Sequence, residues 1–504
     1  MTLLKNNSNY YLTTTLPYVN ADPHIGFALE IIQADVLARY NSLLGKKVIF
    51  NTGTDEHGLK IYRKALENNQ TPQAYCDEYA AKFDALKQSL NLSYTNFIRT
   101  TDAHHIAAAQ EFWLRCEKNG DIYKKDYEVK YCVGCELEKT DSELVDDKCP
   151  VHPNLEIEII KEENYFFKFS NYQQPLLDLY EKNPNFVIPQ NRQLEIKNFV
   201  EKGLEDFSIS RLKSKMPWGV PVPNDPDQVM YVWFDALINY ISTLGWPQNE
   251  PNFNDFWPGY QVAGKDNLRQ QSAMWQAMLL SAKLPTSAQV FIHGFITSGG
   301  QKMSKSLGNV VEPLSLVEKY GTDALRYFLL GAFISYDDGD FTNERFDSFY
   351  TAYLVNGIGN LTSRILTMLE KYSDSAVPPS GIMADNITNI LWQNNYDTYF
   401  SNYQFELIVD RINKVADILN KEISDLEPWK LAKAGQDISN HLYKWSEGLR
   451  HIAIALLPII PHTAEKILTQ LGQDVPTAYG DLIKWGGLKP GTKINKGEIL
   501  FPRL

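Results

Sequence analysis

The side chains best able to do chemistry in this chain are two ammonium groups, an imidazole, a set of thiols and a few acids. Lys302 and Lys305 stand three residues apart in Gly299-Gly300-Gln301-Lys302-Met303-Ser304-Lys305-Ser306-Leu307-Gly308-Asn309, among hydroxyls and between glycines. Such a flexible loop can close two positive charges over a polyphosphate. His24, in Asp22-Pro23-His24-Ile25-Gly26-Phe27, opens a stretch with helical periodicity. A helix start concentrates unpaired N–H donors and the positive end of the macrodipole, so it favours a phosphate, and Gly26 allows close backbone approach. Cys132-Val133-Gly134-Cys135 and Cys149-Pro150-Val151-His152 form a C-x-x-C and a C-x-x-H. Three thiolates and an imidazole suit tetrahedral Zn²⁺ and fill all four positions, which predicts a closed structural site with no role as a Lewis acid. Iron is the alternative metal for that donor set.

The elements that must position these groups follow from periodicity and punctuation. Tyr11 to Leu16 is rich in β-branched and apolar residues, reads as a buried strand, and is stopped by Pro17. Asp22 is a good N-cap and Pro23 a good first helical residue, after which Ile25, Leu29, Ile32, Val36, Tyr40 and Leu43 recur at helical spacing. Lys47-Val48-Ile49-Phe50 predicts a second strand that runs into Asn51-Thr52-Gly53-Thr54-Asp55-Glu56-His57-Gly58. Asp55, a carboxylate at a strand end beside glycines, is well placed to hold a substrate ammonium. Tyr231 to Tyr240 combines large aromatics with the single acid Asp235, in the manner of a core segment. Neither G-x-G-x-x-G nor a Walker A sequence is present, so the nucleotide chemistry is not that of a dinucleotide fold or a P-loop. From Phe349 the pattern is helical, with Asn356, Asn360 and Arg364 along one polar stripe. His104 and His105 are expected on a helix surface, and Cys76 and Cys116 in structural roles.

At 504 residues the chain exceeds the single-core limit of roughly 250–300 residues, so at least two domains are expected. A net charge of −12 excludes a protein that coats nucleic acid non-specifically, and any RNA contact has to be local. Lys421, Lys430 and Lys433 around Trp429 supply such a local positive patch. Five cysteines in so long a chain are not a disulfide framework. The polar N-terminus and the short apolar run near Ile452 to Ile460, interrupted by Pro458, predict a cytoplasmic protein with no membrane contact.

Lys302-Met303-Ser304-Lys305-Ser306 is the KMSKS signature of class I aminoacyl-tRNA synthetases, and His24-Ile25-Gly26-Phe27 resembles their HIGH motif. With Leu16-Pro17-Tyr18, Thr54-Asp55-Glu56-His57-Gly58 and Val232-Trp233-Phe234-Asp235-Ala236 through Tyr240, the chain resembles the methionyl branch of that class from Tyr11 to Leu504. The resemblance implies an α/β fold: a Rossmann-like parallel-sheet catalytic domain, an inserted connective domain with a zinc knuckle, and an α-helical anticodon-binding domain. The implied boundaries are 1–117 and 220–300 for the catalytic halves and 118–219 for the insertion. They continue with 301–348 for the KMSKS loop and stem-contact region, 349–480 for the helical domain and 481–504 for a tail. A monomer is implied, because the chain stops before the extra C-terminal domain of some relatives.

Carried over residue by residue, the resemblance gives catalysis to His24, Lys302 and Lys305, and ATP to these with Gly26, Phe27 and Asp266. It gives methionine to Leu16, Tyr18, Asp55, Trp233 and Tyr240, and the anticodon to Asn360, Arg364 and Trp429. Cys132, Cys135, Cys149 and His152 hold Zn²⁺, Mg²⁺ comes with ATP, and the partners are tRNA(Met), ATP and L-methionine, with no DNA. Two departures stand out. Phe27 replaces the last histidine of the motif, and losing one oxyanion donor costs about 2.7–4 kcal/mol unless another group compensates. Gln270-Gln271 stands where the family usually has Phe-His. These departures leave open a catalytically weakened tRNA-binding paralogue, and a class I synthetase for another amino acid is the second alternative.

Overall fold

The computed structural model describes residues 8–135, 137–139, 141–303, 308–379, 383–393 and 396–504. Ser304, Lys305, Ser306 and Leu307 lie outside the described residues. Six strands, every neighbouring pair parallel, cross the main sheet in the order Asn96–Arg99, Lys47–Thr54, Asn9–Thr14, Tyr260–Gly264, Gln289–His293, Val187–Ile188. Side chains alternate along each strand. Leu12, Phe50, Val262 and Phe291 enter one apolar core, and Tyr11, Ala263, Val290 and Ile292 enter another. Both faces are therefore covered, as a parallel sheet requires.

Strand order decides where a ligand can sit. From the central strand Asn9–Thr14 the chain steps outward through Lys47–Thr54 to Asn96–Arg99, and it returns on the other side of that strand with Tyr260–Gly264. This reversal leaves a crevice at the carboxyl ends of Asn9–Thr14 and Tyr260–Gly264. The segments holding Leu16 to His24 and Gly264 to Asp266 both leave from it.

The first helix, Ile25–Leu43, begins later than the sequence pattern predicts. His24, not Asp22, is its N-cap: the His24 backbone is extended and its Nδ1 accepts from Gly26 N at 3.1 Å. Asp22 is turned instead to Lys82 Nζ at 3.3 Å. The later start leaves His24 at the tip of the helix, outside the first turn.

Between the catalytic halves lies an antiparallel sheet of Leu137–Lys139, Ile122–Cys132, Glu158–Phe167 and Phe207–Ser208. Val187–Ile188, inside the stretch expected to be inserted, pairs with Gln289–His293 and so extends the main sheet. After Asn343–Phe349 the helix widens through π-type turns at Tyr350–Gly359 and continues as Asn360–Tyr372. Phe405–Leu426 and Ser439–Leu456 pack into the same core as the first helix. Buried Arg326 ties the two regions together, with its guanidinium 2.7 Å from Asp35 of the first helix and donating to Ile459 O at 2.8 Å. No helix among the described residues is long and apolar enough to cross a membrane.

Candidate active site

The groups expected to hold the nucleotide lie around the crevice. His24 is open to solvent at its edge yet surrounded by protein at longer range, as befits a cleft. With Nδ1 accepting from Gly26 N, its proton belongs on Nε2. Burial, and then the charge of Lys302, lower its pKa, so the ring is a neutral donor near pH 7. Lys302 follows a two-residue hairpin in which Gly299 and Gly300 have φ of 61° and 74°. A turn with two positive φ values matches the twist of the strands and calls for glycine at both positions. Asp340 anchors this hairpin, accepting from Thr297 Oγ1 and Gly300 N, both at 2.7 Å. Lys302 Nζ lies 5.6 Å from the Phe295 ring centroid, and its charge acts on His24, Asp266 and His152. Asp266 follows Tyr260–Gly264, and burial raises its pKa. Phe27 packs its ring edge-on against Phe83, centroids 5.2 Å apart, and gives its N–H to His24 O at 3.0 Å.

The groups expected to hold the amino acid lie at the neighbouring strand end. Tyr18 and Asp55 are bridged through their backbones, with Asp55 N donating to Pro17 O at 3.0 Å and Val19 N to Asp55 O at 3.3 Å. Tyr18 and Trp233 pack on a cluster formed by Tyr131, Tyr231 and Val232. Tyr240 is buried, and its hydroxyl accepts from Gln271 Nε2 at 2.6 Å. Leu16, half-buried, comes just after the first strand. Behind these groups Asp235 is fully buried between two imidazoles, Oδ2 at 2.7 Å from His57 Nδ1 and Oδ1 at 2.8 Å from His105 Nε2. Burial opposes its ionisation, but the two histidines outweigh burial and hold its pKa down to about 2. Ser242 Oγ sits 2.9 Å from His105 Nδ1. His104 is on the helix surface as expected, whereas His105 is not: it is fully buried, because the helix Ala103–Lys118 turns it toward Asp235.

Cys132, Cys135, Cys149 and His152 offer four donor atoms within 4.8 Å of one another. Cys135 Sγ is 3.5 Å from Cys149 Sγ and 3.2 Å from His152 Nδ1, and Cys132 Sγ is 3.9 Å from the same nitrogen. A tetrahedron with metal–sulfur arms of about 2.3 Å has edges of about 3.5–3.8 Å, so the donor set fits a metal ion. Without a cation, burial and the neighbouring thiols push Cys135 up to about 12. Gly134 permits the turn, since a Cβ there would stand 2.5 Å from His152 Cγ. The base of this knuckle also bears on the amino-acid side, because Tyr131 belongs to the cluster on which Tyr18, Trp233 and Val133 pack.

The profile described as "tRNA synthetases class I (M)" matches residues 10–157 and 139–366. The chain is 43% identical to the methionine–tRNA ligase of Thermosynechococcus vestitus over 518 residues, covering 98% of each. It is 41% identical over 516 residues to the chloroplastic/mitochondrial methionine–tRNA ligase of Arabidopsis thaliana, covering 98% of this chain and 83% of that one. The structure of Mycobacterium tuberculosis methionyl-tRNA synthetase in complex with methionyl-adenylate superposes with a TM-score of 0.93 at 37% identity, covering 98% of this chain and 100% of that one. The chain belongs to the methionyl-tRNA synthetase family. It is thus an ATP-dependent aminoacyl-tRNA ligase of class I, and the reading as a synthetase for another amino acid falls away.

In the C-terminal third, Asn356 and Asn360 of the polar stripe are exposed and Arg364 is half-buried. Asn360 Nδ2 donates to Asn420 Oδ1 at 3.4 Å, and Arg364 donates to Asn420 O and Ser424 Oγ at 3.3 and 3.2 Å. Three residues after Ser424, the left-handed Glu427 (φ 47°) turns the chain and Pro428 starts a new helix, leaving Trp429 43% exposed. Sequence reasoning missed His57, His105 and Asp235. It also missed Glu30, whose carboxylate accepts from Thr15 N at 2.8 Å and meets His293 Nε2 at 2.9 Å. The signal for Asp235 was an acid in an otherwise apolar segment, which needs buried partners.

Proposed function

We propose that the chain charges tRNA(Met) with methionine in this cleft, in two steps. A methionine carboxylate oxygen attacks the α-phosphorus of ATP and pyrophosphate leaves. A ribose hydroxyl of the terminal tRNA adenosine then attacks the carbonyl carbon of methionyl-adenylate, and AMP leaves. Asp55 holds the substrate ammonium, and Leu16, Tyr18, Trp233 and Tyr240 enclose the side chain, where aromatic walls suit a polarisable thioether. His24, Lys302 and Lys305 stabilise the charge that develops on the phosphates, Asp266 takes the ATP ribose hydroxyls, and Gly26 and Phe27 carry the backbone past the nucleotide. Mg²⁺ accompanying ATP supplies further neutralisation of the phosphates. Cys132, Cys135, Cys149 and His152 hold a structural Zn²⁺. Asn360, Arg364 and Trp429 read the anticodon, the first two through base edges and Trp429 by stacking.

The observation that carries this reading is the meeting of three groups from distant parts of the chain: Lys302 acts electrostatically on both His24 and Asp266 across the crevice. Methionine-dependent exchange of pyrophosphate into ATP tests it. Purified protein is expected to catalyse the exchange, and Lys305→Ala to abolish most of it. Tight tRNA binding with no exchange would overturn the enzyme reading in favour of a paralogue that has lost catalysis.

A further inference from the structure

One lysine spans two parts of the site that lie far apart in the chain. Lys60 stands in the first turn of the helix Leu59–Glu67, where the macrodipole disfavours a cation, so nothing in the helix itself calls for one there. Its ammonium serves tertiary contacts instead. Lys60 Nζ donates to Gly134 O, inside the C-x-x-C turn of the knuckle, at 3.2 Å. The same nitrogen donates to the side-chain oxygen of Asn20 at 2.9 Å. Only this orientation of the Asn20 amide satisfies both of its ends, because the amide nitrogen then donates to Tyr18 O at 3.1 Å. One half-buried cation thus ties the knuckle turn to the backbone of Tyr18.

Both ends of this tie are firmly placed. Gly134 packs so closely that a Cβ there would stand 2.5 Å from His152 Cγ and 2.8 Å from Leu155 Cδ1, which leaves its carbonyl little freedom. At the other end, Tyr18 is bridged to Asp55 through the backbone and packs on the cluster that also receives Val133 of the knuckle. Arg63, one turn further along the helix, reaches Glu158 Oε1 at 3.1 Å, and Glu158 lies opposite Tyr131 in the knuckle sheet. His24 is held separately: Ile25 N donates to Val311 O at 2.9 Å.

We propose that Lys60 is a positioning residue for methionine activation: by holding Gly134 O and, through Asn20, Tyr18 O, it fixes the Tyr18 side of the pocket against the knuckle. Lys60 acts through Tyr18 and touches neither substrate. The inference rests on the placement of Tyr18 in the methionine pocket and of Zn²⁺ in the knuckle. An ammonium suits this place because its several donors can hold carbonyl oxygens from two separate segments at once.

The test reads the two ends separately in the full-length, zinc-loaded protein. KM values in pyrophosphate exchange report on the loop, and transfer of Zn²⁺ to a chromogenic chelator reports on the knuckle. Lys60→Met keeps the aliphatic stem and removes the cation. It is expected to raise methionine KM roughly three- to tenfold, to leave ATP KM within about twofold, and to speed zinc release roughly threefold or more. Asn20→Ala, which cuts only the loop end, is expected to raise methionine KM to a similar extent with zinc release unchanged. The double variant is expected to match Lys60→Met in methionine KM, because both substitutions cut the same tie. An ATP KM near that of the parent shows that each variant has folded. If Lys60→Met moves methionine KM without zinc release, or zinc release without methionine KM, Lys60 serves one end only and the inference is overturned. If it moves neither while the parent exchanges pyrophosphate with methionine, the inference is overturned and the proposed function stands. A parent chain that shows no exchange, or holds no Zn²⁺, defeats the reading on which the inference rests, and the inference with it.

Discussion

The two walls of the cleft handle polar groups in opposite ways. On the wall carrying Asp55, Trp233 and Tyr240, the supporting groups are buried and multiply held. Asp235 has two imidazoles, and Glu56 accepts from Arg99 at 2.6 and 2.9 Å and from Thr54 Oγ1 at 2.7 Å. Trp218 Nε1 donates to the backbone of Glu56 at 2.6 Å. On the wall carrying His24, Lys302 and Asp266, the charges face solvent, and the hairpin leading to Lys302 hangs on Asp340. Discrimination among side chains of similar size needs groups locked in place before the substrate arrives, because the differences are worth only about 1–3 kcal/mol. A polyphosphate is recognised by charge, and its product must leave, so open and movable cations serve it better.

Breaking the nucleotide wall has the largest expected effect. Lys302→Ala removes the cation proposed to act on the transferring phosphate and is expected to lower the exchange kcat by about 10²–10³-fold, with methionine KM changed about twofold or less. The same variant removes one of the two causes that lower the His24 pKa, so the acid limb of the pH–rate profile moves to higher pH. Steady-state exchange kinetics across pH checks both outcomes. A large rise in methionine KM would mean that the two walls are not separate in function.

Breaking the other wall comes next. Asp235→Asn leaves one buried imidazole facing an amide nitrogen and is expected to cost about 2–3 kcal/mol of stability, read by chemical denaturation, and to raise methionine KM more than ATP KM. The pH dependence has a definite sign. Asp235 ionises at about 2 in the folded chain against an ordinary value of 3.8. It therefore contributes about 2 kcal/mol that is fully present above pH 3.8 and is lost as pH falls through 2. Acid unfolding of Asp235→Asn is expected to be less steep in that window than that of the parent chain.

The same contrast explains what is legible in the sequence alone. His24, Lys302 and the four donors of the knuckle announce themselves because their chemistry is written in neighbouring positions: a helix start, a glycine-flanked loop, two short spacings. The central strand and the long first helix follow from apolar periodicity in the same local way. The supporting wall does not. His57 and His105 reach Asp235 across 178 and 130 residues, and nothing near either histidine points to an acid. Gln271 and Gln261, too, become partners only once a strand and a π-type turn are packed side by side. Val187–Ile188 is two residues long, too short for alternation to be seen, yet it extends the main sheet. Local spacing marks the candidate site residues, and burial decides what supports them.

Asp340 gives the smallest effect and the finest division between the walls. Its carboxylate accepts from Thr297 before the glycine turn and from Gly300 within it, so it sets where the hairpin starts without touching the charge at Lys302. Those two hydrogen bonds keep its own carboxyl below the usual range, with little opposition from burial. Both are solvent-reachable, and losing them costs about 1–2 kcal/mol of local order while leaving the fold of the sheet unaffected. Asp340→Ala is therefore expected to slow exchange about three- to tenfold at saturating substrates, with methionine KM and overall denaturation midpoint nearly unchanged. Asp340→Asn keeps one acceptor oxygen and is expected to restore most of the rate. An equal loss in the two variants would mean that the negative charge at Asp340, and not its grip on the turn, is what the nucleotide wall requires.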